Sequence, residues 1–258
     1  DFPFIKLSSR IISDYQGKLL ASGICDNTIG FYLHNIKALF RKGCREMGLE
    51  LPCPFRDISI KTEKTLKRSL DPVVIKTLSA IELEKDSPLS LARDIFMFSF
   101  YTRGMSFVDI ALLKKRHVFP GEICYRRHKT DQLMRVGINK EISRILERYK
   151  NVPGEYIFPL FPAERDPYAG YRNAYHRIRY SLGKISRVIG LEFPLRLHAA
   201  RHSWATIAKV NGASLHVIGE CLGHTSEKTT RIYLKELDHS ALDAVNNQVA
   251  DFILAVDD

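Results

Sequence analysis

Near the C-terminal end of the chain, His198-Ala199-Ala200-Arg201 is followed by Leu222-Gly223-His224 and then, nine residues after that histidine, by Tyr233. Two imidazoles, a guanidinium and a phenol are thus concentrated in one short region. A phosphodiester under attack builds negative charge on its non-bridging oxygens, and a planar guanidinium binds such oxygens in bidentate fashion while staying charged at any working pH. Arginine can in this way do the work of a metal ion. A phenol, with a reference pKa of about 10, needs neighbouring cations or hydrogen bonds to become a nucleophile near neutrality. His198, Arg201 and His224 are the groups that would supply them. The departing oxygen needs a proton, for which an ammonium is a suitable general acid. The residue types point to strand transfer on DNA.

The totals agree with a polyanionic partner. Lys and Arg number 39 against 29 Asp and Glu, a net charge of +10, and the pI is near 9.4. The 258 residues, 45% hydrophobic, suffice for a real core divided between two domains. Cys25, Cys44, Cys53, Cys124 and Cys221 are odd in number and scattered without a C-x-x-C pair. They are read as reduced thiols of a cytoplasmic protein, with neither a disulfide framework nor a zinc cluster. No apolar run reaches membrane-spanning length, and the first residues do not form a signal peptide. A start at Asp1 rather than Met suggests a trimmed chain and leaves open an N-terminal arm ahead of it.

Several elements must position these groups. From Ser9 to Arg56 the pattern is helical, with Ile29, Tyr32, Leu33, Ile36, Leu39 and Phe40 at helical spacing after a cap at Asp26 or Asn27. Lys37, Arg41, Lys42 and Arg45 form a basic stripe suited to a DNA backbone; a solvated helix face explains them equally well. Pro52 and Pro54 end the pattern. Residues 59–70, with Lys61, Lys64, Lys67 and Arg68, read as a basic linker. Asp71-Pro72 and Ser87-Pro88 each read as a cap followed by proline at the first helical position, the second opening an apolar helix that should stop at Gly104. Residues 118–139 read as short strands joined by turns. Helices are expected at 140–149, 170–188, 194–210, 215–222 and 226–234, and again in the tail at 240–256.

The His-x-x-Arg, Leu-Gly-His and Tyr pattern resembles that of the tyrosine recombinases, or phage-type integrases, in order and spacing. Lys129-Thr130-Asp131 resembles their Lys-Thr-Gly turn. The resemblance covers nearly the whole chain and implies a mostly α fold with a small antiparallel β-sheet. It divides the chain into a helical core-binding (SAM-like) domain over 1–58, the linker, and a catalytic domain over 71–258 with a C-terminal tail helix. It implies Tyr233 as nucleophile, Arg201, His198 and His224 around the phosphate, Lys129 as general acid, and no metal or nucleotide cofactor. One departure stands out: the family's first arginine falls on Ser106. Arg103, three residues earlier, is the expected replacement with Asp109 beside it, and Arg126 or Arg127 the fallback.

By the same resemblance the partner is double-stranded DNA carrying specific recombination sites, clamped between the two domains. Four protomers, tied through their tails, would exchange strands through a Holliday junction by 3′-phosphotyrosyl links, as in bacterial mobile-element integrases and invertases. A host DNA-bending protein would be an accessory, and the place of action the cytoplasm, at the nucleoid. Three other readings remain open on the residues alone: a helix-turn-helix regulator using 215–234, a recombinase-like protein that binds without cleaving, and a type IB topoisomerase-like enzyme. The regulator has no need of His198, Arg201 and Lys129.

Overall fold

The computed structural model describes residues 3–61, 63, 69–161, 167–224 and 230. The chain forms two compact units, Asp1–Leu66 and Lys67–Asp258. In the first, helix α1 (Ser9–Ala21) and helix α2 (Asp26–Glu46) are separated by a turn in which Gly23 adopts φ +74°. Ile12, Ile29, Leu33 and Phe55 make its buried core. The helical pattern expected up to Arg56 stops at Glu46. Gly48 takes φ +63°, and the prolines that follow deny the next residues an α conformation. Part of the expected linker is docked on this unit: Ile60 packs beside Ile58 against its core, and the Asn27 amide exchanges two 3.0 Å hydrogen bonds with the backbone of Glu63. A Cβ at Gly30 would lie 3.2 Å from Ile60 Cγ2, so the small residue on α2 makes room for that strand-like segment.

The second unit is built around one helix buried on all sides. Helix α3 (Pro72–Ala80), capped by Asp71, leads to α4 (Pro88–Tyr101), capped by Ser87. Ile95, Phe96, Met97 and Phe98 of α4 are each at most 2% exposed, and each such burial contributes roughly 1.5–3 kcal/mol. Short helix α5 (Phe107–Ala111) follows, then strands β1 (Val118–Phe119), β2 (Glu122–Arg126) and β3 (Leu133–Gly137). They form an antiparallel sheet in the order β1-β2-β3, with Tyr125 opposite Met134 and Arg126 opposite Leu133. Ile123, Tyr125, Met134 and Val136 turn inward and are buried, as the two-residue period of a one-sided sheet requires.

Helix α6 (Lys140–Arg148) returns to α4, where the Asp94 carboxylate, 3% exposed, accepts from Arg93 Nε at 2.6 Å, Arg148 Nη1 at 2.8 Å and Tyr149 Oη at 2.9 Å. Burial, then the Asp94 charge, pushes the Tyr149 phenol well up, so it remains a donor. Helices α7 (Pro167–Val188) and α8 (Leu197–Val210) pack on α4, and α9 (Leu215–Leu222) packs on α8. The mostly α fold with a small antiparallel sheet is as expected. The helix expected from Pro194 starts at Leu197. Among the described residues no helix is long and apolar enough to cross a membrane. The helix expected over 226–234, beyond Thr230, and the tail helix lie outside the described residues.

Candidate active site

The site is assembled where the turn after α4, the β2–β3 hairpin and α8 meet the C-terminal end of α9. Thr102 Oγ1 bonds back to Phe98 O at 2.6 Å, and the chain then passes through two left-handed residues, Arg103 (φ +60°) and Gly104 (φ +75°). Gly104 is required by what faces it: a Cβ there would lie 2.5 Å from Arg201 Cγ and 2.8 Å from Arg201 Cα. Helix α8 therefore presses its main chain onto this turn, and Arg201 Nη1 donates to Gly104 O at 2.8 Å.

Arg201, 6% exposed, also reaches the end of α9. Its Nη2 donates to Leu222 O and lies 3.0 Å from His224 Nε2. A helix end leaves carbonyls without intrahelical partners and carries partial negative charge, so a guanidinium belongs there. Gly223, at φ +63°, closes α9, with Gly223 N bonded to Glu220 O and His224 N to Gly219 O at 2.8 Å, the double closure typical of a helix ending in a left-handed glycine. Since a guanidinium only donates, Nε2 of His224 accepts. Its proton then sits on Nδ1, donated to Thr230 Oγ1 at 3.0 Å. Thr230 is fully buried, and a Cβ at Gly219 would come 2.9 Å from its hydroxyl. Burial, followed by the charges of Arg201, Arg127 and Lys129, pushes the His224 imidazole down to about 4. His224 therefore supplies hydrogen bonds, not positive charge, near neutrality.

The hairpin brings Lys129 to the same place. Asp131 N bonds to Arg127 O at 2.8 Å, and Asp131, where the resembling turn has glycine, adopts φ +53°, a conformation Asp tolerates better than most residues. Lys129 is exposed on the turn. The two adjacent arginines diverge. Arg126 stays in the hairpin, donating to Asp131 O at 2.8 Å, while Arg127 donates to Gly223 O at the end of α9.

Arg103 stands at the rim of this group, Nη1 3.5 Å from Arg135 O. It acts with Arg127 and Arg201 on the buried Tyr125 phenol, which desolvation and then Asp109 hold well above its ordinary pKa. Tyr125 therefore stays protonated. Asp109 is not a partner of Arg103. Its carboxylate accepts from Ser106 Oγ at 2.6 Å and from His128 N at 2.8 Å. Ser106, in the slot of the family's first arginine, caps α5. His198 is exposed on α8, its ring edge-on to that of buried His202 at 4.7 Å.

Tyr233 and Lys64 lie outside the described residues. In the first unit Arg41, Lys42, Arg45 and Lys61 are exposed and Lys37 is partly buried, with Lys42 3.7 Å from Glu46. Sequence reasoning passed over a second basic surface, a groove lined by His176, Arg179, Lys184 and Arg187 of α7 together with Arg196. The signal was present as Arg179, Lys184 and Arg187, five and three residues apart and so on one side of a helix.

Residues 69–239 match the model of the phage integrase family. The tyrosine recombinase XerC of Shewanella oneidensis is 26% identical over 226 residues, 84% of this chain and 70% of that protein. Two solved structures share the fold. One is a lambda integrase (75–356) dimer bound to a COC′ core site, with a TM-score of 0.67 and 17% identity over 90% of this chain and 81% of that one. The other is the XerH site-specific recombinase bound to palindromic difH, with a TM-score of 0.69 and 16% identity over 95% and 72%. The fold, the convergence at the end of α9 and a family match over most of the length agree: the chain belongs to the phage integrase family and is a tyrosine recombinase, an enzyme that cuts and rejoins DNA strands.

Proposed function

We propose that Tyr233 is the nucleophile, that Arg201 and Arg103 hold the scissile phosphate, that His224 orients Arg201 through the 3.0 Å contact with its Nη2, and that Lys129 is the general acid. The Tyr233 oxygen bonds to phosphorus, the bond to the 5′-oxygen breaks, and that oxygen leaves with the Lys129 proton. His198, the exposed imidazole of α8, takes the phenol's proton. The phosphodiester energy is conserved in a 3′-phosphotyrosyl link, which the free 5′-hydroxyl of another strand reverses.

The observation that carries this reading is that Arg201 meets the neutral His224 at the end of α9, with the Lys129 charge acting on the same imidazole, and that His224 lies nine residues before Tyr233. Positive groups collected around a neutral imidazole suit an incoming anion. The α2 stripe and the α7 groove would carry the DNA backbone. By family likeness, four protomers linked by their tails recombine two specific sites, aided by a DNA-bending protein, in the cytoplasm at the nucleoid. Nicked suicide DNA substrates, read on denaturing gels, test the chemistry. Wild type should form a covalent adduct at a 3′ end, and Tyr233→Phe none; an adduct that survives in the variant rejects Tyr233. Relaxation of a plasmid with no specific site would instead indicate topoisomerase activity.

A further inference from the structure

We infer that Arg127 is a positioning residue that latches the β2–β3 hairpin to the end of α9 and so fixes where Lys129 delivers its proton. This rests on the assignment of Lys129 as general acid.

The base of the hairpin is held by its buried face, through Ile123, Tyr125, Met134 and Val136. The tip has no such face, since residues 128–133 are all exposed. No described residue forms a hydrogen bond or ion pair with Lys129, so its place is set by the backbone that carries it. The chain is tethered just before Lys129 by two long-range bonds, one from the side chain of Arg127 and one from the main chain of His128. His128 N donates to Asp109 Oδ1 at 2.8 Å, and Arg127 Nη1 donates to Gly223 O.

The second bond has a fitted seat. A Cβ at Gly223 would lie 2.9 Å from Arg127 Nη1, 3.1 Å from Arg127 Cδ and 3.0 Å from Met134 Sδ. Both hairpin strands therefore rest on this glycine. Its neighbour Leu222 offers its own carbonyl to Arg201. Two guanidinium groups, one from α8 and one from the hairpin, thus grip successive carbonyls at the end of one helix, where the helix dipole favours cations. His224, the next residue, opens the segment that runs to Tyr233. The Arg127 bond thereby ties the acid's hairpin to the end of α9. Arg126 cannot serve, because adjacent strand residues project to opposite faces and its guanidinium is held by Asp131.

The test separates a positioning residue from a phosphate ligand. Single-turnover adduct formation is compared on suicide substrates whose scissile link carries either the natural 5′-oxygen or a 5′-bridging sulfur, for wild type, Lys129→Ala and Arg127→Ala. A thiolate leaves without being protonated, so the sulfur substrate bypasses the general acid. Lys129→Ala should lose roughly 100-fold or more on oxygen and recover on sulfur. Arg127→Ala should lose roughly 10- to 100-fold on oxygen, the effect of misplacing a catalytic group by about 1 Å, and come within about threefold of wild type on sulfur. Equal loss on both substrates means that Arg127 binds phosphate or supports folding generally, and overturns the latch; so does no loss on either. If Arg127→Ala does not fold, Arg127→Met, which keeps an unbranched apolar stem and has no donor, is read in the same way. Failure of sulfur to rescue Lys129→Ala overturns the general-acid assignment and the latch together, whereas rescue of Lys129→Ala alone removes only the latch.

Discussion

Replacing Gly104 by alanine measures how closely α8 approaches the turn after α4. The new Cβ would sit 2.5 Å from Arg201 Cγ, 2.7 Å from its Cβ and 2.8 Å from its Cα, against an optimal carbon–carbon separation of about 3.5–4.0 Å. The obstruction includes main chain, so a rotamer change cannot relieve it, and α8 or the turn must move by up to about 1 Å. A left-handed alanine costs about 1–2 kcal/mol, and inserting a methyl group into a packed site typically a further 1–3 kcal/mol. The total of about 2–5 kcal/mol corresponds to a Tm roughly 5–15 °C lower for a unit of this size. The same movement draws Arg201 away from Gly104 O, and adduct formation should fall by roughly 100-fold. Gly121→Ala is the internal control: its φ is +82°, but nothing lies within 4 Å of the added carbon, so it should show the backbone cost alone and keep full activity. Equal Tm losses for the two variants, or a Gly104→Ala protein with wild-type adduct rate, would refute the close approach.

Asp94→Ala should lower stability by about 3–5 kcal/mol, because Arg93 and Tyr149 would be left buried without their acceptor; thermal denaturation decides, and a drop in Tm under about 3 °C would count against the cluster as a structural anchor. The pH dependence of stability should carry the mark of His224. Its imidazole titrates at about 4 in the fold and at about 6.5 in the unfolded chain, so between these values the unfolded state binds the extra proton. The contribution is complete above pH 6.5 and is lost as the pH falls towards 4. Urea midpoints at pH 5 and 7.5 should therefore differ more for wild type than for His224→Gln, and parallel behaviour would contradict the neutral assignment.

The parts of this molecule legible in the sequence are those governed by local chemistry. Asp71-Pro72 and Ser87-Pro88 announce α3 and α4 because a side-chain acceptor and a fixed φ act within three residues. The sheet follows from alternation, and Gly223 ends α9 where expected. What escaped depends on contacts across the chain. Nothing local distinguishes Arg126 from Arg127; the pleat of β2 decides which of them faces α9. Gly104 was legible as a helix stop but not as the seat of Arg201, and Asp109 was assigned to Arg103 on proximity although its partners are Ser106 and a hairpin amide 19 residues on. The segment from Ile58 to Glu63, with few apolar residues, looked like a linker because Asn27, a distant amide, supplies its backbone partners.

Ser106 carries a consequence for anyone wishing to re-create the family's usual arginine at that position. The hydroxyl starts a helix and steadies the carboxylate that in turn holds the base of the lysine-bearing loop, so Ser106→Arg would add a cation while loosening the proton donor's mount. An arginine there would have to come with another way of beginning α5 and of holding Asp109.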